Sequence, residues 1–101
     1  MITVLASITV KDGSMEEFLR IFKENVSAVL AEEGCIEYYP AIDTRTDLPP
    51  QIYQENTVTI IEKWQSLAAL KAHLATAHML AYKEATASML ETLSLKILEN
   101  A

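Results

Sequence analysis

Four side chains that can take part in proton transfer or aromatic recognition lie between residues 62 and 78: Glu62, Trp64, His73 and His78. Trp64 is the only tryptophan of the chain, and the two histidines are its only histidines. An imidazole has an ordinary pKa that suits proton transfer near neutral pH. A tryptophan ring either fills a core or forms the wall of a pocket for a flat ligand. We therefore expect the function of the chain to lie in this segment.

The same segment predicts a strand, a tight corner and a helix that together position these side chains. Residues 58–65 alternate and are rich in β-branched types, which is typical of a strand. Because alternate residues of a strand share a face, Glu62 and Trp64 should project to the same side. Ser66 is a favoured N-cap, and the leucines after it recur at helical spacing. The strand therefore leads directly into a short helix that carries His73.

His73 is predicted to be a proton acceptor in preference to His78. It lies in the last turn of the short helix, where carbonyl ends favour a positive charge, and on the shoulder of the apolar stripe. His78 is a core residue if that helix runs straight. If the helix instead breaks at Thr76, Thr76 would cap a further helix from about residue 78 to residue 90. His78 would then lie in the first turn of that helix, where the helix dipole disfavours an imidazolium. The alternative for His73 is a surface histidine without a role.

The remaining elements predict a ferredoxin-like α+β fold in one domain, residues 1–101. A strand at 2–10 is followed by a helix from about 15 to 30, with Ser14 and Glu17 at capping-box spacing and Gly34 at its end. A strand at 35–43 should lie at an edge or contain a bulge, because Pro40 cannot donate to a ladder. A strand at 51–65, with Asn56 near its middle where a bulge or loop could lie, and a strand at 93–97 complete the order β-α-β-β-α-α-β. This is a split βαβ with an antiparallel sheet and helices on one face. We expect Glu32 and Glu33 to form a solvated helix end.

The second face of the predicted sheet carries apolar residues that need a cover. Leu5, Ile61 and Leu98 fall on the alternate positions of three strands. Such a patch is best buried by a second copy of the same chain. We therefore expect a homodimer, of the dimeric α/β-barrel type, with the two sheets facing each other.

Composition excludes several classes of partner. Eight basic and 14 acidic residues give a net charge of −6, which argues against nucleic acid. No basic amphipathic segment favours a membrane surface, and no apolar run approaches the roughly 20 residues that cross a bilayer. The single cysteine and the strand-like N-terminus without a basic start predict a cytoplasmic protein.

The candidate residues do not have the spacing of a metal or cofactor site. His73 and His78 are five residues apart, whereas two ligands on one helix face are four apart. Glu62 could complete a metal site, but the three residues match no recognised spacing. Two glycines in total do not make a phosphate-binding loop, and one cysteine makes no zinc pair or redox dithiol. We therefore expect no metal, flavin or haem.

The segments EEGCIEYYPAID, IIEKWQSLAALKAHLATAHMLAY and LSLKIL resemble the antibiotic biosynthesis monooxygenase family, in particular its small bacterial quinol monooxygenases. The resemblance covers nearly the whole chain. It implies a ferredoxin-like dimer with a β-barrel-like interface and a ligand pocket between sheet and helices. It also implies oxygenation of a quinol or polyphenol by O2 without metal, flavin or haem. The motif positions carry over as Glu62, Trp64, His73 and His78, with Tyr82 after them.

Two departures from the family pattern bear on these expectations. The family often has proline before the second histidine, where this chain has Ala77, so we expect a less sharply defined helix break there. Haem-degrading relatives carry an asparagine on the first strand, where this chain has Ala6 and Ser7, which argues against haem. The family also includes isomerases of small phosphorylated sugars, but no compact cluster of Arg and Lys is visible.

The sequence thus predicts an oxidoreductase, a cofactor-independent monooxygenase that acts on a hydroquinone-like aromatic with O2. Trp64 would form the pocket wall, His73 or His78 would be the base, and Tyr82 would orient a substrate oxygen. Glu62 and Tyr38 are further candidates for substrate binding, since one of Tyr38 and its neighbour must face the helices. The alternatives are a non-catalytic dimeric module for ligand binding or stress response, and a sugar-phosphate isomerase.

Overall fold

Strands and helices follow one another in the order β-α-β-β-α-α-β in the computed structural model, which describes residues 1–101. The strands are β1 (Ile2–Val10), β2 (Cys35–Ile42), β3 (Thr57–Trp64) and β4 (Leu90–Leu98). The helices are α1 (Met15–Leu30), α2 (Leu67–Leu74) and α3 (Ala77–Thr86), and a 3-10 turn (Ala87–Met89) leads into β4. All strand pairs are antiparallel, in the sheet order β2-β3-β1-β4. The predicted ferredoxin-like fold is confirmed.

The core lies between one face of the sheet and the helices. Every second residue of β1 from Val4 to Val10 is buried, as the alternation of the sequence requires. The facing residues of β3 continue this layer, with Ala6 opposite Ile60 and Val4 opposite Glu62. The helix α1 covers it with the buried side chains of Phe18, Phe22 and Val29. Burial of these apolar side chains is what holds the helices against the sheet.

The strand β2 is an edge strand, which is one of the two positions that Pro40 predicted. It pairs only with β3, and its register shifts between Cys35 and Glu37. Tyr38 is buried towards the helices, whereas Tyr39 is exposed on the other face. The edge strand therefore contributes one tyrosine to the core side of the sheet, where Glu62 lies opposite it.

The helices α2 and α3 begin at the predicted caps. The Ser66 hydroxyl accepts a hydrogen bond from the backbone N–H of Ala69 at 3.1 Å, and Thr76 accepts one from Met79 at 3.3 Å. The chain therefore breaks at Thr76, and His78 lies in the first turn of α3. The helix α3 ends at Thr86, earlier than predicted, and β4 begins at Leu90, so the last strand is longer than the sequence indicated.

The ends of α1 differ from the prediction. Ser14 occupies the N-cap position without a side-chain capping bond, and Glu17 instead binds Arg20 one turn on. The helix ends at Leu30 rather than at Gly34, which closes a further turn with φ +85°. A Cβ added at Gly34 would lie 2.7 Å from the Ala69 Cβ, so glycine is needed there for the close approach of α2. This extra turn carries Glu32.

The strand β3 is shorter than predicted. It begins at Thr57, and residues 51–56 form part of a long loop that ends at Asn56 with φ +55°. Asparagine tolerates this left-handed conformation better than most residues. Its side-chain N–H donates to Asp12 Oδ1 at 2.6 Å, which fixes the loop against the turn after β1.

The outer face of the sheet carries the predicted apolar residues. Leu5 pairs directly with Ile61, and Leu98 lies opposite Thr3 on the same face. The homodimer that this patch led us to expect stays a prediction. None of the helices combines the length and the apolar character that crossing a bilayer requires.

Candidate functional site

A cavity of about 510 Å³ lies between the sheet and α3 and opens towards β4. Its size falls within the range of about 300–1,000 Å³ that is usual for small-molecule sites. Aromatic walls are formed by Phe22, Tyr38 and Tyr82, with Phe22 and Tyr38 stacked at 5.3 Å between ring centroids and Tyr82 edge-on to Phe22 at 5.8 Å. The other apolar lining residues come from the sheet, α2, α3 and the 3-10 turn, and they are Ala6, Ile8, Ile60, Leu74, Met79, Ala87, Leu90, Leu93 and Leu95. An apolar, flat ligand suits this shape.

Glu62 is the only acidic residue that lines the cavity. It is 6% exposed, and its Oε1 accepts a hydrogen bond from Trp64 Nε1 at 2.9 Å. Every fully buried polar side-chain atom of the structure has a hydrogen-bond partner, whereas Oε2 of Glu62 has none. Because Oε2 is therefore not fully buried, we infer that it is the oxygen open to the cavity. Burial raises the pKa of Glu62 to about 6. The hydrogen bond from Trp64 lowers this pKa, and the negative charge of Glu32 raises it further. A carboxylate with that pKa can accept a proton near neutral pH.

Trp64 lies behind the cavity wall rather than on its surface. Its side chain is fully buried and does not line the cavity. Its ring packs at 4.5 Å between centroids against His73, and its N–H holds Glu62. Sequence reasoning placed the indole in direct contact with a ligand because strand alternation gives the face of a residue but not its depth. The rings that reach the cavity are those of Phe22, Tyr38 and Tyr82.

His73 lines the cavity and is 1% exposed. The alternative of a surface histidine is therefore wrong. Its Nδ1 lies 2.8 Å from Glu32 Oε2, and its ring meets the Tyr38 ring edge-on at 5.5 Å. Burial lowers the pKa of His73, and the neighbouring carboxylate of Glu32 opposes that effect. A neutral imidazole beside a carboxylate carries its proton on the nitrogen that faces it, here Nδ1, which leaves Nε2 as an acceptor.

The second ring nitrogen of His73, Nε2, is not bound to the protein. Every fully buried polar side-chain atom has a hydrogen-bond partner, but Nε2 has none in the protein. Nε2 is therefore not fully buried. We infer that Nε2 is the part of the ring that the cavity reaches. The geometry is that of an imidazole base whose second nitrogen is held by a carboxylate.

His78 does not line this cavity. It is 31% exposed in its side chain and borders a separate shallow pocket with Asn25 and Tyr82. Its Nε2 lies 2.8 Å from the same Oε2 of Glu32 that binds His73. The two histidines are therefore brought together through one carboxylate, although only His73 lines the large cavity.

Glu32 is a candidate functional residue that sequence reasoning missed. It was expected to be solvated, but its side chain is only 10% exposed and points between the two imidazoles. Its partners lie 41 and 46 residues away along the chain, so no local pattern links them. The signal that was present is its place just beyond the end of α1, where the helix dipole disfavours a carboxylate unless it has partners.

Tyr38 and Tyr82, which the sequence suggested as substrate-binding residues, both line the cavity. Burial raises the pKa of each phenol, and the negative charge of Glu62 adds to the rise in both. Both hydroxyls therefore stay protonated and can donate hydrogen bonds to a ligand oxygen. Lys83 is the one cation of the lining, and it is exposed at the rim.

The side chains at Glu32 do not form a metal centre. The two imidazole nitrogens converge on a single carboxylate oxygen. No group of three or more His, Cys, Asp or Glu side chains in residues 1–101 has an arrangement that could hold a metal ion.

Comparison with known proteins gives one family match and several relatives. The family model "Antibiotic biosynthesis monooxygenase" matches residues 1–85. The chain is 37% identical to "Probable quinol monooxygenase YgiN" of Escherichia coli K12, over 98% of this chain and 97% of that protein. It is 40% identical to "Putative monooxygenase YcnE" of Bacillus subtilis 168, over 77% of this chain and 74% of that one. The crystal structure of PA3566 from Pseudomonas aeruginosa has a TM-score of 0.83 at 26% identity, covering 99% of this chain and 93% of that chain.

Proposed function

The chain belongs to the antibiotic biosynthesis monooxygenase family, and from this premise we propose that it oxygenates a quinol or related polyphenol with O2 in the cavity beside α3. The names of its relatives support a monooxygenase type of activity. The observation that carries the proposal is the composition of the cavity. An apolar space with three aromatic walls contains two unpaired proton acceptors, on Glu62 and His73.

The chemistry requires a substrate that can be deprotonated in a dry site. O2 is a triplet, so it reacts slowly with singlet organic molecules unless they transfer one electron at a time. A quinolate anion is electron-rich enough to give that electron directly, and for this reason we propose a reaction without metal, flavin or haem. The balanced reaction is hydroquinone plus O2 to hydroxyquinone plus water, in which the substrate supplies all four electrons. The protein must bind the ring, remove a phenolic proton and exclude water.

Each cavity residue receives a role from its position. His73 Nε2 accepts the phenolic proton, because the other ring nitrogen is already bound to Glu32. Glu62 Oε2 accepts a hydrogen bond from the second hydroxyl of the ring, and Trp64 holds that carboxylate from behind. Tyr38 and Tyr82 donate to the oxygen that becomes negative, which stabilises the anion where it forms. His78 supports the base through Glu32 without contact with the substrate.

The alternative reaction, isomerisation of a phosphorylated sugar, fits the cavity less well. A phosphate needs several donors or cations, whereas the lining offers one lysine at the rim and a carboxylate in the interior. Binding without turnover would use the same cavity, and only a rate measurement separates it from catalysis.

We further propose that the protein is a homodimer whose sheets face each other. The apolar patch on the outer face consists of Leu5 and Ile61, which lie opposite each other, and Leu98, which lies opposite Thr3. A second copy would remove this patch from water. Sedimentation of dilute protein should give a mass near twice 11.3 kDa, and a single species at 11.3 kDa would contradict the dimer.

Oxygen uptake with a panel of one-ring and two-ring hydroquinones tests the proposed function. The assay contains a chelator, and its background is the spontaneous oxidation of each quinol in buffer. We expect uptake well above background for at least one member, and a loss of it in His73→Gln. Uptake at the background rate for every quinol would contradict the proposal.

A further inference from the structure

Glu32 joins both histidines of the chain through one oxygen. Its Oε2 lies 2.8 Å from His73 Nδ1 and 2.8 Å from His78 Nε2. The three side chains come from the turn after α1, from α2 and from α3. Their side-chain exposures are 10% for Glu32, 1% for His73 and 31% for His78, so the contact runs from the cavity wall to the surface.

The position of Glu32 is electrostatically unfavourable without these partners. The carboxyl end of α1 carries a partial negative charge, and the chain has a net charge of −6. An unpaired carboxylate there would turn to solvent, as that of the exposed neighbour Glu33 is free to do. Two imidazole N–H groups supply the hydrogen bonds that hold Glu32 inward.

We propose that Glu32 is a positioning residue, which fixes His73 with its proton on Nδ1 and its free Nε2 towards the cavity, and that His78 holds Glu32 in place. The role as an aid to catalysis rests on the proposed function of His73 as the proton acceptor. In that step the substrate O–H bond breaks, an N–H bond forms at Nε2, and the new imidazolium lies against the Glu32 carboxylate. The ring needs no rotation before it reacts, because its second nitrogen is already bound.

The electrostatic surroundings of His73 make Glu32 the group that keeps it basic. Ionisable groups surround His73 from the turn after α1, β2, β3 and α3. Glu32, His78 and Lys83 act on its pKa, Tyr38 contacts its ring, and Glu62 and Tyr82 line the same cavity. Burial and the positive charges of His78 and Lys83 lower the pKa of His73, and Glu32 raises it. Without the carboxylate, the imidazole is a weaker base and either nitrogen can carry the proton.

The experiment compares Glu32→Gln with the matched control Glu33→Gln, one residue further along the same turn. The readout is the ¹⁵N spectrum of the imidazole rings, which distinguishes the two neutral tautomers and follows protonation with pH. The chain has only two histidines, and His78→Gln leaves the signals of His73 alone, so the assignment is direct. The quinol oxidation rate is measured in parallel from pH 6 to pH 9.

In the wild type and in Glu33→Gln we expect neutral His73 to carry its proton on Nδ1. In Glu32→Gln we expect a mixture of His73 tautomers and a lower pKa of His73. We expect kcat to fall by about 10²-fold, at the low end of general-base effects. KM should stay unchanged, because Glu32 does not touch the substrate. His78→Gln should change the His73 tautomer, the pKa of His73 and kcat in the same direction, but by less.

A wild-type His73 protonated on Nε2 overturns the proposal, and this measurement does not depend on the folding of Glu32→Gln. A Glu32→Gln protein with the wild-type tautomer and the wild-type pH profile overturns it as well. If the tautomer depends on Glu32 but no quinol is oxidised by the wild type, the positioning of His73 is supported and the proposed function is what fails.

Discussion

Replacing Glu62 with glutamine should remove a pH-dependent loss of stability. Burial raises the pKa of this carboxyl from an ordinary 4.5 to about 6. A group whose pKa is higher in the folded chain binds its proton more tightly when folded. Its contribution to stability is therefore fully present below pH 4.5 and is lost as the pH rises through about 6.

The magnitude follows from the size of the shift. A rise from 4.5 to about 6 corresponds to about 2 kcal/mol of differential free energy. Wild type should thus lose about 2 kcal/mol of unfolding free energy, relative to Glu62→Gln, between pH 4 and pH 7.5. Glutamine keeps an oxygen that can accept from Trp64 Nε1, so the hydrogen bond is not lost with the charge.

Urea unfolding at several pH values measures this difference, with the fluorescence of the single tryptophan as the probe. Protein concentration is held constant, because unfolding of an oligomer depends on it. All other titrating groups are common to both proteins and cancel in the comparison. Glu33→Gln is the control, and its unfolding free energy should run parallel to that of wild type. Parallel curves for wild type and Glu62→Gln would show that Glu62 ionises freely and would refute the buried, perturbed carboxylate.

Three further changes have definite expected results. Trp64→Phe removes the hydrogen bond that lowers the pKa of Glu62, so the acid limb of the pH–rate profile should move to higher pH while the fold persists; an unmoved limb would contradict the contact. His73→Gln should lower quinol oxidation by about 10²–10⁴-fold in a folded protein, and an undiminished rate from pH 6 to pH 9 would remove His73 as the base. Gly34→Ala should destabilise the protein in urea by more than Gly13→Ala, because both glycines have φ above +80° but only Gly34 faces a side chain of α2 at 2.7 Å; equal losses would mean that the close approach does not matter.

The fold could be predicted because its signals are local. The alternation of β1 and β3 and the hydroxyls of Ser66 and Thr76 act within a few residues, and the structure follows them. Where a local signal did not predict the structure, another contact formed in place of the expected one. Glu17 of the expected capping box binds Arg20, and residues 51–56 leave the strand for a loop fixed through Asn56.

The site could be predicted only in part, because burial depth and distant contacts are not written in a local pattern. Strand alternation placed Glu62 on the correct face, but it gave no indication that Trp64 lies beneath the wall. The helical position of His73 indicated a pocket edge, and the ring does reach the cavity, though in a fully buried setting. Glu32 escaped notice because both of its partners belong to helices much further along the chain.

Oxygen-isotope labelling tests the central claim most directly. The protein is incubated under ¹⁸O2 with a hydroquinone that it consumes, in the presence of a chelator. The mass of the product is then determined by mass spectrometry. We predict one ¹⁸O atom in each molecule of product formed by the wild type, and only the spontaneous background with His73→Gln. A product that gains no ¹⁸O, or equal labelled product from the two proteins, would contradict monooxygenation in this cavity.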